Sequence, residues 1–303
     1  MKKIVLSLLV LVITLNLPAQ TIDEPINLTT KTGELKGTLL VPEAVKKFNL
    51  IILQAGSGPT DRNGNNPLGV KAKSYRLLAE ALVQKKIAVL LIDKRGVGAS
   101  AIAGRAEQDM RFDDYVNDLA DWAALMKKDK RIKKMIIAGH SEGSLVGMIA
   151  AQKINVDKYI SISGIADPID RVISWQLKQQ SPPMSLLADS MFNRLKEGKK
   201  LDSIPPALFM LLRPSVQPYM ASWMKYNPCE EIKKLALPVL ILQGSTDIQV
   251  TEEEGHKLHA CNPKTSLVII SGMNHVLKEA PADRKKNMAT YNDEKLPIKP
   301  ELV

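Results

Sequence analysis

Ser141 stands between two glycines in Gly139-His140-Ser141-Glu142-Gly143. A hydroxyl exposed on so tight a turn is a candidate nucleophile for acyl transfer. The bare G-x-S-x-G pattern is weak, and Ser141 alone could simply cap a helix. Its flanks sharpen it. Met135-Ile136-Ile137-Ala138 reads as a buried parallel strand, and Ser144–Ala151 as a helix of small residues. An unactivated hydroxyl attacks nothing at neutral pH, so a base and an orienting carboxylate must follow. Of the four histidines, His140 lies inside the turn with its ring directed away from the serine hydroxyl. His256 and His259 sit on what reads as an exposed helix, Thr251–His259, with no third metal ligand near in sequence. His275 alone follows a strand, Ser266–Ile270, through the turn Ser271-Gly272-Met273-Asn274. The acid follows by the same logic. Asp247 begins the loop after the apolar strand Pro238–Gln243, which gives the order Ser, Asp, His. Glu142 leaves the turn in another direction and is not the orienting acid.

Acyl transfer also needs two backbone N–H groups aimed at the developing oxyanion. The residue after the nucleophile, Glu142, is one expected donor. The other is expected at Ser57, between the turn-forming Gly56 and Gly58, in the loop after the strand Asn49–Leu53. This loop lacks the Lys-Ser/Thr ending of a phosphate-binding loop.

These pieces stand on elements of one pattern. Residues 26–41 read as antiparallel strands turning at Lys31-Thr32-Gly33-Glu34. Strands near 49–54, 87–92, 134–138, 157–163, 238–243 and 266–270 alternate with helical stretches. That is a mostly parallel sheet covered by helices on both faces. Asp113–Lys128 is the clearest amphipathic helix, with Tyr115, Leu119, Trp122, Leu125 and Met126 on one side. Between 165 and 228 the alternation stops. Asp167–Gln180, Met184–Lys196, Pro206–Leu212 and Gln217–Met224 read as helices, separated by Ser181-Pro182-Pro183, Ile204-Pro205 and Arg213-Pro214. We expect a helical cap over Ser141, inserted into a core made of 21–164 and 229–303. Met184, Met191, Phe192, Phe209, Met210, Leu211, Met220 and Trp223 could line its pocket or form its own core.

Taken together, Ala55-Gly56-Ser57-Gly58-Pro59-Thr60-Asp61-Arg62, Asp93-Lys94-Arg95-Gly96-Val97-Gly98-Ala99-Ser100, the Gly139–Gly143 turn, Gln243–Asp247 and Asn274-His275 make the chain resemble the α/β-hydrolase superfamily. Within it, the likeness is to bacterial secreted carboxylesterases with a serine aminopeptidase-like hydrolase domain, over about residues 25–300. The resemblance implies an α/β-hydrolase fold and hydrolysis of short-chain carboxylic esters through Ser141, Asp247 and His275. It implies no cofactor and no metal, and it makes Arg62 and Arg95 loop-bracing residues at the site rim. Peptidase and thioesterase activities share the same acyl-enzyme chemistry, and a non-catalytic binding protein on this fold is the bland alternative, disfavoured by a filled triad. A peptidase acting at a free amine needs a carboxylate to hold it, with Asp167, Asp170 and Glu142 as candidates. Relatives usually continue beyond a sequence like Pro300-Glu301-Leu302-Val303 into a final helix packed on the sheet.

The resemblance implies a small-molecule ester as the partner, and the composition agrees with the fold. With 303 residues, 45% hydrophobic, the chain is of a size for one α/β domain with an insertion. Its +10 charge is spread through lysine-rich helix ends without a nucleic-acid motif, so no nucleic acid partner is expected. Met1-Lys2-Lys3, the apolar run Ile4–Leu15 and Asn16-Leu17-Pro18-Ala19-Gln20 read as a signal peptide over residues 1–20. The run is too short for a stable membrane span, so a periplasmic or extracellular location is expected. Cys229 and Cys261 could pair in an oxidising compartment, but one permitted pair is a thin reason for a bond, and the sequence leaves the pairing open. The sequence leaves oligomeric state open.

Overall fold

The computed structural model describes residues 21–43 and 45–303; the expected signal peptide lies outside them. The chain opens on a hairpin, β1 (Thr21–Thr30) and β2 (Gly33–Pro42), paired antiparallel over its whole length. The next elements are β3 (Phe48–Gln54), the two-residue strands β4 (Asn65–Asn66) and β5 (Val70–Lys71), α1 (Ser74–Gln84), β6 (Ile87–Ile92), α2 (Phe112–Met126), β7 (Ile132–His140), α3 (Glu142–Lys153) and β8 (Lys158–Ile162). Four helices then intervene: α4 (Ile169–Lys178), α5 (Pro182–Lys196), α6 (Pro206–Leu212) and α7 (Gln217–Trp223). The chain returns through α8 (Pro228–Lys233), β9 (Val239–Gly244), α9 (Glu252–Cys261), β10 (Ser266–Ile270) and the short α10 (Arg284–Ala289).

Eight strands form one sheet in the order β1-β2-β6-β3-β7-β8-β9-β10. β2 pairs antiparallel with β1 and β6, and every pair from β6 to β10 is parallel. This is an α/β-hydrolase fold. The chain runs from β3 outward to β6, then crosses back to β7 on the other side of β3, so the order reverses at β3. Ligands of open α/β sheets bind outside the carboxyl ends of the strands at such a reversal. The registers bring the expected site loops to that edge: Gln54 ends β3 level with Gly139, and Gly244 ends β9 level with Ile270.

Strands buried on both sides explain the continuous apolar runs in the sequence. Leu50, Ile52, Ala88, Leu90 and Ile137 are fully buried on the face that carries α2 and α3. There α2 lays down Val116, Leu119, Trp122, Ala123 and Met126, and Trp122 closes over Gly37, where a Cβ would sit 3.2 Å from its ring. Truncating so large a buried ring costs about 3–5 kcal/mol. On the other face, α1 buries Tyr75, Leu78, Ala79, Leu82 and Val83, joined by Ile298 and Leu302 from after β10.

The expected elements are present with shifted ends. The prolines at 182 and 183 lie in the first turn of α5 rather than in a break, because a first-turn residue needs no N–H partner. The sequence-expected strand and helix boundaries otherwise move by a few residues, as fraying ends do. The pairing that the sequence leaves open is made: Cys229 and Cys261 form a disulfide, with Cα atoms 5.4 Å apart. α8 packs beside α9, which brings together two cysteines 32 residues apart. Among the described residues no helix is long and apolar enough to cross a membrane.

Candidate active site

Ser141 joins β7 to α3 with φ 56° and ψ −123°, a backbone strain that non-glycine residues rarely carry. The neighbouring glycines are required by close approach. A Cβ on Gly139 would lie 2.0 Å from the Gly143 oxygen, and one on Gly143 would lie 2.5 Å from the Gln54 oxygen. The strained turn is held by the Ser141 N–H, which donates to the Ile162 carbonyl at 2.9 Å.

Asp247 and His275 meet at the same edge. His275 Nδ1 donates to Asp247 Oδ2 at 2.7 Å, since the buried carboxylate can only accept. The other oxygen, Oδ1, takes the N–H groups of Gln249 and Val250 at 2.8 and 2.9 Å. Asp247 is thus fixed on both oxygens, and Nε2 is left as the available nitrogen of His275. The base loop is organised by Asn274. Its Oδ1 accepts from Val276 and Lys278, and its Nδ2 donates to Asn287 Oδ1 and Thr290 Oγ1. Leu277 is thereby held at φ 65°.

Ser141 stands between two cavities. The smaller, about 130 Å³, is lined by Gly56, Ser57, Tyr75, His140, Ser141, His275 and Tyr291, among others. The larger, about 670 Å³, lies between the core and the inserted helices and shares Ser57 and Ser141. Of the apolar residues expected to line it, Met210, Leu211, Met220 and Trp223 do so. Met191 and Phe192 instead belong to the hydrophobic core, Met184 packs against it, and Phe209 is exposed. Neither the Ser57 N–H nor the Glu142 N–H donates to another protein group among the described residues.

The remaining histidines separate cleanly. His256 reaches Glu252 at 3.4 Å and His259 reaches Thr265 at 2.8 Å, both on or beside α9 and away from Ser141. His140, set aside in the sequence, is buried next to the site. Its Nε2–H donates to the His275 carbonyl at 2.9 Å. That fixes Nδ1 as an acceptor, 2.8 Å from the Tyr75 hydroxyl, which itself accepts the Gly56 N–H at 3.1 Å. Burial, and then the nearby His275 ring, hold the His140 pKa down to about 3.

Arg62 and Arg95 brace loops as expected. Arg62 grips Asp93 through its backbone N–H and its side chain, and also reaches Thr38. Arg95 pairs with Asp118 and donates to the Ala103 carbonyl. Lys94, between them, had no assigned role. It is buried, with its ammonium donating to the Gly56 carbonyl, 3.9 Å from Glu142 Oε1 and 5.1 Å from the centre of the Tyr115 ring. Burial lowers its pKa and raises that of Glu142, and each partner's charge opposes the other's shift. No local signal in the sequence marks Lys94 or His140, because their partners lie 38 and 135 residues away.

Comparison with known proteins matches residues 68–280 to the family described as "Serine aminopeptidase, S33". Esterase EstD of Thermotoga maritima is 26% identical over 251 residues, which cover 80% of this chain and 58% of EstD. The chain thus spans little more than half the length of that relative. Among solved structures, Est1E from Butyrivibrio proteoclasticus superposes with a TM-score of 0.58 at 18% identity, covering 88% of this chain and 94% of Est1E. The α/β hydrolase GrgF from a Penicillium species gives 0.59 at 20%, covering 84% and 91%. At these identities the two structures speak for the fold.

Proposed function

The chain belongs to the serine aminopeptidase S33 family of hydrolases, and from that premise we propose that it cleaves carboxylic esters through an acyl-enzyme on Ser141. The observation that carries the reading is the strained Ser141 sharing a cavity with His275, whose Nδ1–H is committed to the doubly anchored Asp247. In the proposed sequence His275 Nε2 takes the Ser141 proton as Oγ attacks the ester carbonyl. The oxyanion settles against the unpartnered N–H groups of Ser57 and Glu142. His275 then protonates the departing alcohol, and a water, deprotonated by the same nitrogen, releases the acid.

Position supports an assignment of the two cavities. The leaving oxygen must receive its proton from His275, so the small cavity beside that ring suits the alcohol and the larger one the acyl chain. Charge favours a neutral ester over a free-amine peptide. Of the three carboxylates named for holding an amine, Asp167 pairs with Lys257 and Asp170 with Lys196, and neither lines the large cavity. Glu142 lines it but faces Lys94, and Glu107 at its rim pairs with Arg213. A substrate ammonium there would be buried without a counter-charge of its own, which costs several kcal/mol. The apolar run at the amino terminus and the Cys229–Cys261 bond together support export to an oxidising compartment.

The test is a series of chromogenic esters of graded acyl length beside aminoacyl amides. Each methylene buried in the larger cavity contributes about 0.8 kcal/mol, so kcat/KM should rise about fourfold per carbon over the first few carbons and then drop. Preference for the aminoacyl amides would move the assignment to the peptidase.

A further inference from the structure

Lys94 is a buried lysine that the chemistry above does not use, and it reaches Glu142, one residue expected to supply the oxyanion hole, and Gly56, the neighbour of the other. Its ammonium donates to the Gly56 carbonyl and lies 3.9 Å from the carboxylate of Glu142. The first contact has a geometric consequence. The Gly56 carbonyl and the Ser57 N–H belong to one peptide unit, and among the described residues no peptide bond is cis. In a trans peptide the C=O and N–H point in opposite directions. An ammonium fixed on the Gly56 oxygen therefore fixes the direction of the Ser57 N–H on the other side of the plane.

That peptide lies against the nucleophile. A Cβ on Gly56 would come 3.1 Å from the Ser141 Cβ, so glycine lets the loop approach closely without crowding the nucleophile. The preceding amide, Gly56 N–H, is already spent on the Tyr75 hydroxyl, which leaves the Ser57 N–H as the first free donor of the loop. We propose that Lys94 is a positioning residue of the oxyanion hole, orienting and polarising the Ser57 N–H through the Gly56 carbonyl. A cation on the carbonyl draws electron density through the amide and strengthens its N–H as a donor. The proposal rests on the ester-hydrolase reading, and its test separates the two.

The test uses the full chain with Lys94→Met, which keeps the bulk without a donor, and Lys94→Gln, which keeps a donor without the charge. Circular dichroism and thermal melting establish which variants are folded. Two quantities are read: kcat and KM for an ester hydrolysed by the wild type, and the affinity for an alkyl boronic acid, whose adduct with Ser141 is a tetrahedral anion. Removing one oxyanion donor outright costs on the order of 10²–10³ in kcat, so the Met variant should lose on the order of 10- to 100-fold. KM should change little, and boronate affinity should fall by the same factor as kcat, the mark of an interaction made only in the transition state. The Gln variant should fall between Met and the wild type, and it carries the comparison if Met does not fold. A folded variant with kcat within about twofold of wild type overturns the proposal. So does a parallel weakening of substrate and boronate. If the wild type hydrolyses no ester in the series, the ester reading fails, and boronate affinity still decides the role of Lys94.

Discussion

His140 should make the protein measurably weaker in mild acid. The folded ring is neutral, its Nε2–H on the His275 carbonyl and its Nδ1 on the Tyr75 hydroxyl, and its pKa is held to about 3 against an ordinary 6.5. Between these values the unfolded chain binds a proton that the folded chain refuses. Stability is therefore fully present above pH 6.5 and is lost as pH falls toward 3. At 1.36 kcal/mol per unit the whole window is worth about 4–5 kcal/mol, and the interval from pH 7 to pH 5 about 2 kcal/mol. The assay is equilibrium urea unfolding at pH 7 and pH 5, followed by fluorescence of the three tryptophans, with the disulfide intact. His140→Gln keeps a donor for the His275 carbonyl but cannot titrate. It should be less stable at pH 7, since the Tyr75 hydroxyl loses its acceptor, yet its loss on going to pH 5 should be smaller than wild type's by about 2 kcal/mol. Titrating groups that do not touch His140 cancel in that difference. If the two proteins lose stability in parallel between pH 7 and pH 5, the buried neutral ring is not what the acid attacks.

Three further outcomes follow from the same geometry. Ser141→Ala should abolish covalent labelling by a fluorophosphonate probe while leaving the thermal transition in place; surviving label would point to another nucleophile. Asp247→Asn and His275→Ala should each reduce kcat by ~10³–10⁴, whereas His256→Ala, out on α9, should leave it unchanged; the reverse ranking would displace His275 as the base. Cys229→Ser opens a loop of 32 residues and should lower unfolding free energy by about 3–4 kcal/mol, read as a lower urea midpoint.

What the sequence reveals and what it withholds divide along contact distance. Ser141, Asp247 and His275 are each announced locally, by an apolar strand before and a turn after, and the parallel sheet then brings the three strand ends to one edge without further instruction. The inserted helices are legible in the same way, from apolar periodicity between prolines. His140, Lys94 and the cysteine pair have no such local cue. A buried histidine or lysine looks in the sequence like any other, and its function is set by a tyrosine, a carbonyl or a carboxylate supplied from elsewhere in the fold. Half of the apolar residues expected around the pocket instead pack into the core or lie exposed, because on a short helix facing and burial change within one residue.

The reversal of strand order at β3 also bears on how such a protein can change. Everything proposed to act on the reacting carbonyl grows from the ends of β3, β6, β7, β9 and β10, while the walls of the larger cavity come in good part from α4, α6 and α7, strung between β8 and β9. The proposed acyl wall and the proposed reaction centre are thus written largely on separate stretches of chain that meet only in space. Exchanging the segment from α4 to α7 for that of a relative would have to keep its two junctions and its seat on α2, where Trp223 stacks on Phe112 and the Ser222 hydroxyl accepts the Phe112 N–H. Chimaeras that meet that condition would vary the acyl wall while Ser141, Asp247 and His275 keep their strand-end positions.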